Sequence, residues 1–168
     1  MIDEKNLLLK LTLSKINYKV NKHDALFTVE DSLKNRGEIE GAHSKNLFLK
    51  NKKDKYFLIS CLENTTVELK KLSKSLNLGN VSFAKSESLI KLLGVIPGSV
   101  TPFGLLNDIE NKIEFYLDSG FLEYKKVNFH PLVNTSTITL DLVDFKKFLI
   151  ENKKKINILD LTNYSIID

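Results

Sequence analysis

The stretch LIKLLGVIPGSVTPFGLLND, residues 89–108, constrains the fold more than any other part of the chain. It gathers three of the seven glycines (Gly94, Gly98, Gly104) and two of the three prolines (Pro97, Pro102). Proline removes a backbone donor and fixes φ, while glycine ends helices, so neither an unbroken helix nor a central strand can cross this stretch. An amphipathic helix instead runs into a stiff, shaped loop. One reading of that loop is a rigid helix-to-strand connection. The other is a pocket made of backbone, whose N–H groups face a carbonyl oxygen as it becomes an oxyanion. Such donors are worth about 3 kcal/mol each in transition-state stabilisation.

The flanking sequence supplies alternating helices and strands. A first helix is predicted from Asp3 towards Lys15. Two apolar strands follow, Asn46–Leu49 and Tyr56–Leu62, around a polar turn at 51–55. Thr65 and Glu68 have capping-box spacing, Leu69, Leu72 and Leu76 form a helical stripe, and Gly79 is placed to end that helix. VSFA reads as a short strand. Ser86 is placed to cap the next helix, with Leu89, Ile90, Leu92 and Leu93 facing a core and Gly94 as its stop. Beyond the loop, Lys112–Asp118 alternates as a strand, STITLDL repeats the pattern, and Asp141 opens a last helix through Phe145, Phe148 and Leu149. INILDL closes the fold as a strand. The interspersed elements and hairpins predict an α/β fold with a mixed, largely antiparallel sheet surrounded by helices, and a single domain over residues 1–168.

Several kinds of chemistry find no signature at this level, although a Ser–His–Asp arrangement stays open. No Gly-rich dinucleotide fingerprint or P-loop follows a strand, and no nucleophile elbow is present. His23, His43 and His130 lack metal-ligand spacing, so no metal and no cofactor are expected. Cys61, the one cysteine, lies in YFLISCL and reads as a buried small residue. A lone cysteine, the absence of an apolar run long enough for a bilayer and an N-terminus without a cleavage signal together point to a cytoplasmic protein with no membrane partner. The net charge of +4 and the lysine runs at 50–55, 70–74 and 151–155 suit a solvated surface or a phosphate-bearing partner.

Two further stretches carry polar groups into apolar surroundings. HSKNLFL sets Lys45 and Asn46 at the start of a strand, where a polar head can reach a pocket rim or simply face solvent. HPLVNTSTITL gathers His130, Asn134 and Thr137 before another strand, with Pro131 shaping a turn that could equally give His130 a structural role.

Taken in order, KNLFL, FLISC, LGVIPGSVTPFGLLND and HPLVNTSTITL resemble the YbaK-like aminoacyl-tRNA deacylases, over roughly residues 25–153. That family includes the editing domain of bacterial prolyl-tRNA synthetases and its free-standing relatives. The wording PGSVTPFGLLND is most similar to the alanyl-tRNA(Pro) deacylases of the ProXp-ala or PrdX type. The resemblance implies the YbaK-like editing-domain fold and a family G-x-x-x-P loop at Gly98-Ser99-Val100-Thr101-Pro102, entered through Pro97, which would hold the aminoacyl group. It implies Lys45, Gly98 and His130 for catalysis, with Asn46 at the aminoacyl end or terminal adenosine and Asn134 and Thr137 as supports. Val95, Ile96 and Val100 are the expected apolar walls that admit alanine and exclude proline.

The implied reaction is water attack on the ester joining alanine to tRNA(Pro). A pocket for proline discriminates against a smaller side chain by only ~1–3 kcal/mol, so a second, hydrolytic sieve is useful. Mischarged tRNA(Pro) is the implied partner, with prolyl-tRNA synthetase or an elongation factor as further possibilities. A same-fold deacylase for cysteinyl, seryl or threonyl esters, or a tRNA-binding domain without turnover, are the competing readings.

Overall fold

The computed structural model describes residues 1–35 and 37–167. Helix α1 (Glu4–Leu13) begins where the Asp3 carboxylate accepts the Asn6 N–H at 2.9 Å, and Leu7 and Leu11, one turn apart, seat it on the core. Then come β1 (Tyr18–Lys22), α2 (Val29–Asn35), β2 (Ala42–Asn51), β3 (Tyr56–Leu62), α3 (Leu69–Ser75) and β4 (Val81–Phe83). The short α4 (Ser86–Ser88) passes straight into a π-helical turn, Leu89–Leu93. A 3₁₀ turn (Pro102–Asn107) precedes β5 (Ile113–Asp118), and a second (Ser119–Glu123) precedes β6 (Lys126–Phe129). The rest is β7 (Ser136–Asp141), α5 (Leu142–Glu151), β8 (Asn157–Asp160) and β9 (Ser165–Ile167).

The strands form a mixed sheet in the order β1-β7-β6-β2-β3-β5-β8-β9, with β4 also on β2. The β2–β6, β3–β5 and β5–β8 pairs are parallel and the others antiparallel, so the expected mixed, largely antiparallel sheet flanked by helices is what forms. Alternate residues sort to its two faces. Phe48, Leu58, Phe115 and Leu117 join the larger core with α1 and α5, while Leu49, Phe57, Ile59 and Tyr116 pack with Leu72 of α3 and Tyr164. Because β5 lies inside the sheet with both faces covered, its sequence is almost continuously apolar instead of strictly alternating.

One irregularity in this sheet positions the site. One edge of β2 is paired with β3 throughout. Its other edge meets β6 only at Ala42 and His43 and β4 only at Leu49–Asn51. Among the described residues, no strand lies beside residues 44–48 on that edge.

Local details depart from expectation in several places. The capping box at Thr65 and Glu68 does not form, because α3 starts one residue after Glu68, whose carboxylate pairs with Lys71 at 2.8 Å. Gly79 does not end that helix. Asn77 takes the left-handed position (φ 55°), and the Leu78 N–H closes on the Ser73 carbonyl at 2.9 Å. Lys85, not Ser86, is the N-cap of α4. The π turn alters the angular spacing, so Leu89 and Leu93 are buried while Ile90 is 53% exposed. β2 begins four residues before Asn46, and β9 follows the strand expected to close the fold. No helix among the described residues is long and apolar enough to cross a membrane.

Candidate functional site

The loop after the π turn takes its shape from its own sequence. The Ser99 N–H donates to the Ile96 carbonyl at 3.0 Å, with Pro97 and Gly98 between them. Proline followed by glycine at φ +91° is the order that a type II turn requires. A Cβ at Gly98 would also lie 2.9 Å from Phe27 Cδ1 and 3.3 Å from Asn134 Nδ2, so the position has no room for a side chain. The downstream end is fastened to the core. The Thr101 hydroxyl accepts the Phe103 N–H at 3.3 Å, Pro102 opens the 3₁₀ turn, and the buried Phe103 ring meets Phe129, Phe145 and Phe148 edge-on at 6.2, 5.7 and 6.1 Å. Gly104 serves a different purpose there: an added Cβ would come within 3.0 Å of Leu93 Cβ, so the turn packs tightly on the preceding helix.

The Ser99 N–H is spent on this turn, whereas those of Gly98 and Val100 have no acceptor among the described residues. Both residues line a cavity of about 210 Å³ that opens at the unpaired stretch of β2. Lys45, Asn46 and Ser44 line it from β2, His130 from beyond the end of β6, and Leu26, Phe27, Thr28, Val29 and Ser32 from the far side. Glu63, just past β3, completes the wall.

His130 is held in one tautomer. Its Nδ1 lies 3.0 Å from the Ser136 carbonyl, which can only accept, so Nδ1 carries the proton and the neutral ring keeps a lone pair on Nε2. That Nε2 has no partner among the described residues. Burial pushes the His130 pKa below its ordinary 6.5; the Ser136 bond opposes this in part, and nearby His23 adds to it. His23 is itself fixed by a 2.8 Å contact of Nε2 with the Thr137 hydroxyl, and its ring centroid is 6.3 Å from that of His130.

On β2, the Lys45 ammonium donates to the Thr65 carbonyl. Opposite it in the ladder, the buried Cys61 thiol donates to the Lys45 carbonyl at 3.6 Å, and burial pushes its pKa up to about 12 against the pull of the Lys45 charge. The Asn46 amide is engaged within the protein, accepting from the Ser60 hydroxyl and donating to the Ser44 hydroxyl at 3.3 Å.

The residues singled out from sequence therefore fall into two groups. Lys45, Asn46, Gly98, Val100 and His130, from three separate parts of the chain, meet at one cavity. Val95 is only 2% exposed and belongs to the core, while Ile96 is 53% exposed outside the cavity, so neither forms the expected wall. Pro97 sits on the exposed corner of the turn. Ser99, Thr101 and Pro102 are buried behind the cavity surface, as are Asn134 and Thr137. Ser99 Oγ and Asn134 Nδ2 are buried without a partner among the described residues, so the back of the loop retains unused polar capacity. Residues 26–29, Ser32, Ser44 and Glu63 line the cavity without any signal in the sequence that marks them. Among the described residues, no group of three or more His, Cys, Asp or Glu side chains is arranged to hold a metal ion.

A profile described as an aminoacyl-tRNA editing domain matches residues 23–148, which takes in every one of these cavity residues. The chain belongs to that family. As an editing domain it is an aminoacyl-tRNA deacylase, and its substrates are aminoacyl-tRNAs. It is 39% identical over 145 residues to a prolyl-tRNA synthetase associated domain-containing protein of Bos taurus, covering 83% of this chain and 84% of that one. It is 31% identical over 153 residues to the prolyl-tRNA editing protein ProX of Acetoanaerobium sticklandii, covering 90% and 93%. The crystal structure of a candidate trans-editing enzyme for prolyl tRNA synthetase superposes with a TM-score of 0.68 at 19% identity, covering 96% of this chain and 98% of that one, which establishes the shared fold. Gly98, Val100 and His130, all lining this one cavity, lie within the matched region.

Proposed function

We propose that this editing domain acts in trans, as one unit over the whole chain, to hydrolyse the ester of alanine mischarged onto tRNA(Pro) in the cytoplasm. The observation that carries this reading is the cavity at the Gly98 turn. At about 210 Å³ it is smaller than the roughly 300–1,000 Å³ of common ligand sites, which suits a small aminoacyl group. The ProX relative and the synthetase-associated relatives supply the link to prolyl-tRNA, and a prolyl-tRNA synthetase or an elongation factor as a handing-over partner is consistent with it.

In this mechanism water adds to the ester carbonyl, the carbonyl–ribose oxygen bond breaks, and alanine and tRNA with a free terminal hydroxyl are released. The N–H groups of Gly98 and Val100 donate to the carbonyl oxygen as negative charge develops on it, a contribution of about 3 kcal/mol per donor. His130 Nε2 lines the pocket as an acceptor for a water or ribose proton. Lys45, braced on the Thr65 carbonyl, brings positive charge to the nucleotide end, while Asn46, tied to Ser44 and Ser60, holds the strand that carries it. Val100, Leu26, Phe27 and Val29 supply the size filter in place of Val95 and Ile96.

The test is hydrolysis of Ala-tRNA(Pro), Pro-tRNA(Pro) and Ala-tRNA(Ala) by the wild type and by Lys45→Ala. The expected outcome is rapid loss of alanine from tRNA(Pro), sparing of Pro-tRNA(Pro), and a folded variant with at least tenfold lower kcat/KM. If Ala-tRNA(Pro) survives while a cysteinyl, seryl or threonyl ester is cleared, the alanine assignment is wrong. If no ester is cleaved although tRNA binds, the chain is a binding domain.

A further inference from the structure

We propose that the RNA arm leaving the cavity is gripped through its phosphate backbone by a basic track formed by α3 and the turn between β2 and β3. The proposal rests on the reading of the substrate as an aminoacyl-tRNA and says where the rest of that molecule lies.

Contacts at both ends fix the course of the track. Lys45 shares its face of β2 with Leu47 and Leu49, the face on which Leu72 of α3 packs. The Lys45 ammonium meets the Thr65 carbonyl, four residues ahead of α3, and Glu63 lines the cavity itself. The helix thus starts at the cavity rim. At its far end the Leu78 carbonyl accepts from Asn51 Nδ2 at 2.9 Å, and the next strand, β4, pairs with Leu49–Asn51. Between Lys45 and Asn51 the strand advances about 20 Å at the usual rise per residue. The segment from Thr65 to Leu78, with α3 at its middle, therefore accompanies β2 from the cavity to the turn that holds Lys52 and Lys53.

Charge along this course is left unbalanced in one sense. Along the helix and the turn the carboxylates are occupied, Glu68 by Lys71 at 2.8 Å, Asp54 by Lys50 at 3.1 Å and Glu114 by Lys55. Lys52, Lys53, Lys70 and Lys74 have no carboxylate partner among the described residues. Lys70 and Lys74 stand four residues apart on one face of α3, where like charges disfavour the helix. With Ser73, Asn77 and Asn80 they line an open groove of about 600 Å³. A row of ammonium groups and neutral hydrogen-bonding side chains, with the carboxylates already neutralised, suits a regularly spaced polyanion. Lysines bind phosphate as point charges and read no bases, so the track positions the RNA without selecting its sequence.

The experiment compares the wild type with K70E/K74E on the helix and K52E/K53E on the turn. Affinity for labelled uncharged tRNA is measured against salt, and turnover is measured on alanyl-tRNA(Pro) and on alanine esterified to a CCA trinucleotide. Both double variants are expected to bind tRNA at least tenfold more weakly. The dependence of log Kd on log salt should flatten by about 0.7–0.9 for each phosphate that the variant no longer neutralises. The trinucleotide ester, too short to reach the track, is expected to turn over unchanged, and K70R/K74R should restore binding. Unchanged tRNA affinity and salt slope in both Glu variants overturns the track even if Ala-tRNA(Pro) hydrolysis is confirmed. A wild type that binds tRNA but cleaves no alanyl ester overturns the activity reading instead, while the binding comparison still judges the track.

Discussion

The Gly98 loop and the segment from Leu26 to Ser32 face each other across the cavity and are fixed there by different means. The loop is closed by a turn of defined type, fastened by a capped 3₁₀ helix, and anchored by Phe103 among other buried rings. The opposite wall rests on little. Leu26 is buried and donates its N–H to the Asn134 carbonyl at 3.1 Å, the Asp31 N–H donates to the Thr28 hydroxyl at 3.0 Å, and the Asp31 carboxylate accepts the Phe27 N–H at 3.3 Å. Phe27, however, is 62% exposed, and the Glu30–Lys34 pair on α2 is a surface contact. The difference matches what each wall has to do. A hydrogen-bond donor aimed at a developing charge must be held in place beforehand, whereas a wall that excludes a larger side chain need only occupy space.

Three substitutions or conditions test this contrast, in descending order of effect. Gly98→Ala places a Cβ at φ +91° and 2.9 Å from Phe27, so the turn must distort. Deacylation is expected to fall by about 10²–10³, the loss that follows removal of one oxyanion donor. Near-wild-type kcat in a folded protein would show that the turn's geometry does not matter to the reaction.

The next effect is on pH dependence. Since the His130 pKa is depressed by burial, its Nε2 stays unprotonated below the ordinary 6.5, and kcat/KM should hold steady from neutral into mildly acid solution before declining. The stability consequence has a definite sign. The unfolded chain takes up a proton at 6.5 that the folded site refuses, so the stabilising contribution is complete above 6.5 and is lost as pH falls towards and through the lowered folded-state value. His130→Asn should remove this component from both the rate profile and the pH dependence of denaturation midpoints. A midpoint profile identical to wild type would mean that the ring is not held neutral.

The smallest effect is expected at Phe27→Ala. Its stability should stay within about 0.5 kcal/mol of wild type, as for most exposed positions. Hydrolysis of Pro-tRNA(Pro) relative to Ala-tRNA(Pro) should nonetheless rise severalfold. If that ratio does not move, the thin wall plays no part in sorting substrates by size.

The same contrast explains what the sequence reveals. Glycine and proline in a fixed order have few structural outcomes, so the Gly98 loop is recognisable without coordinates, whereas Lys45 and His130 stand out only through the family resemblance of KNLFL and HPLVNTSTITL. Phe27, Val29 and Ser32 carry no such signature; they become cavity residues only because a backbone bond to Asn134 brings the segment across the turn. Ser44 and Glu63 likewise depend on how β2 and β3 end. Val95 and Ile96 show the limit within the loop itself. Of two adjacent residues leaving a helix, Val95 turns into the core and Ile96 starts an outward-facing turn, and hydrophobicity alone does not separate those fates. The main elements follow from periodicity, but helix ends do not: Asn77 in place of Gly79 and Lys85 in place of Ser86 were decided by backbone closure and not by the residue with the stronger capping preference.

Cys61 has a consequence beyond its place opposite Lys45. A fully buried thiol with its pKa near 12 supplies almost no thiolate at neutral pH, so thiol-directed alkylating reagents and disulfide partners find no reactive thiol on the native surface. It is also the only cysteine in the chain. The folded molecule is therefore blank to thiol chemistry, and a cysteine introduced on its surface would be a unique address for a probe, with no reactive native thiol to remove first.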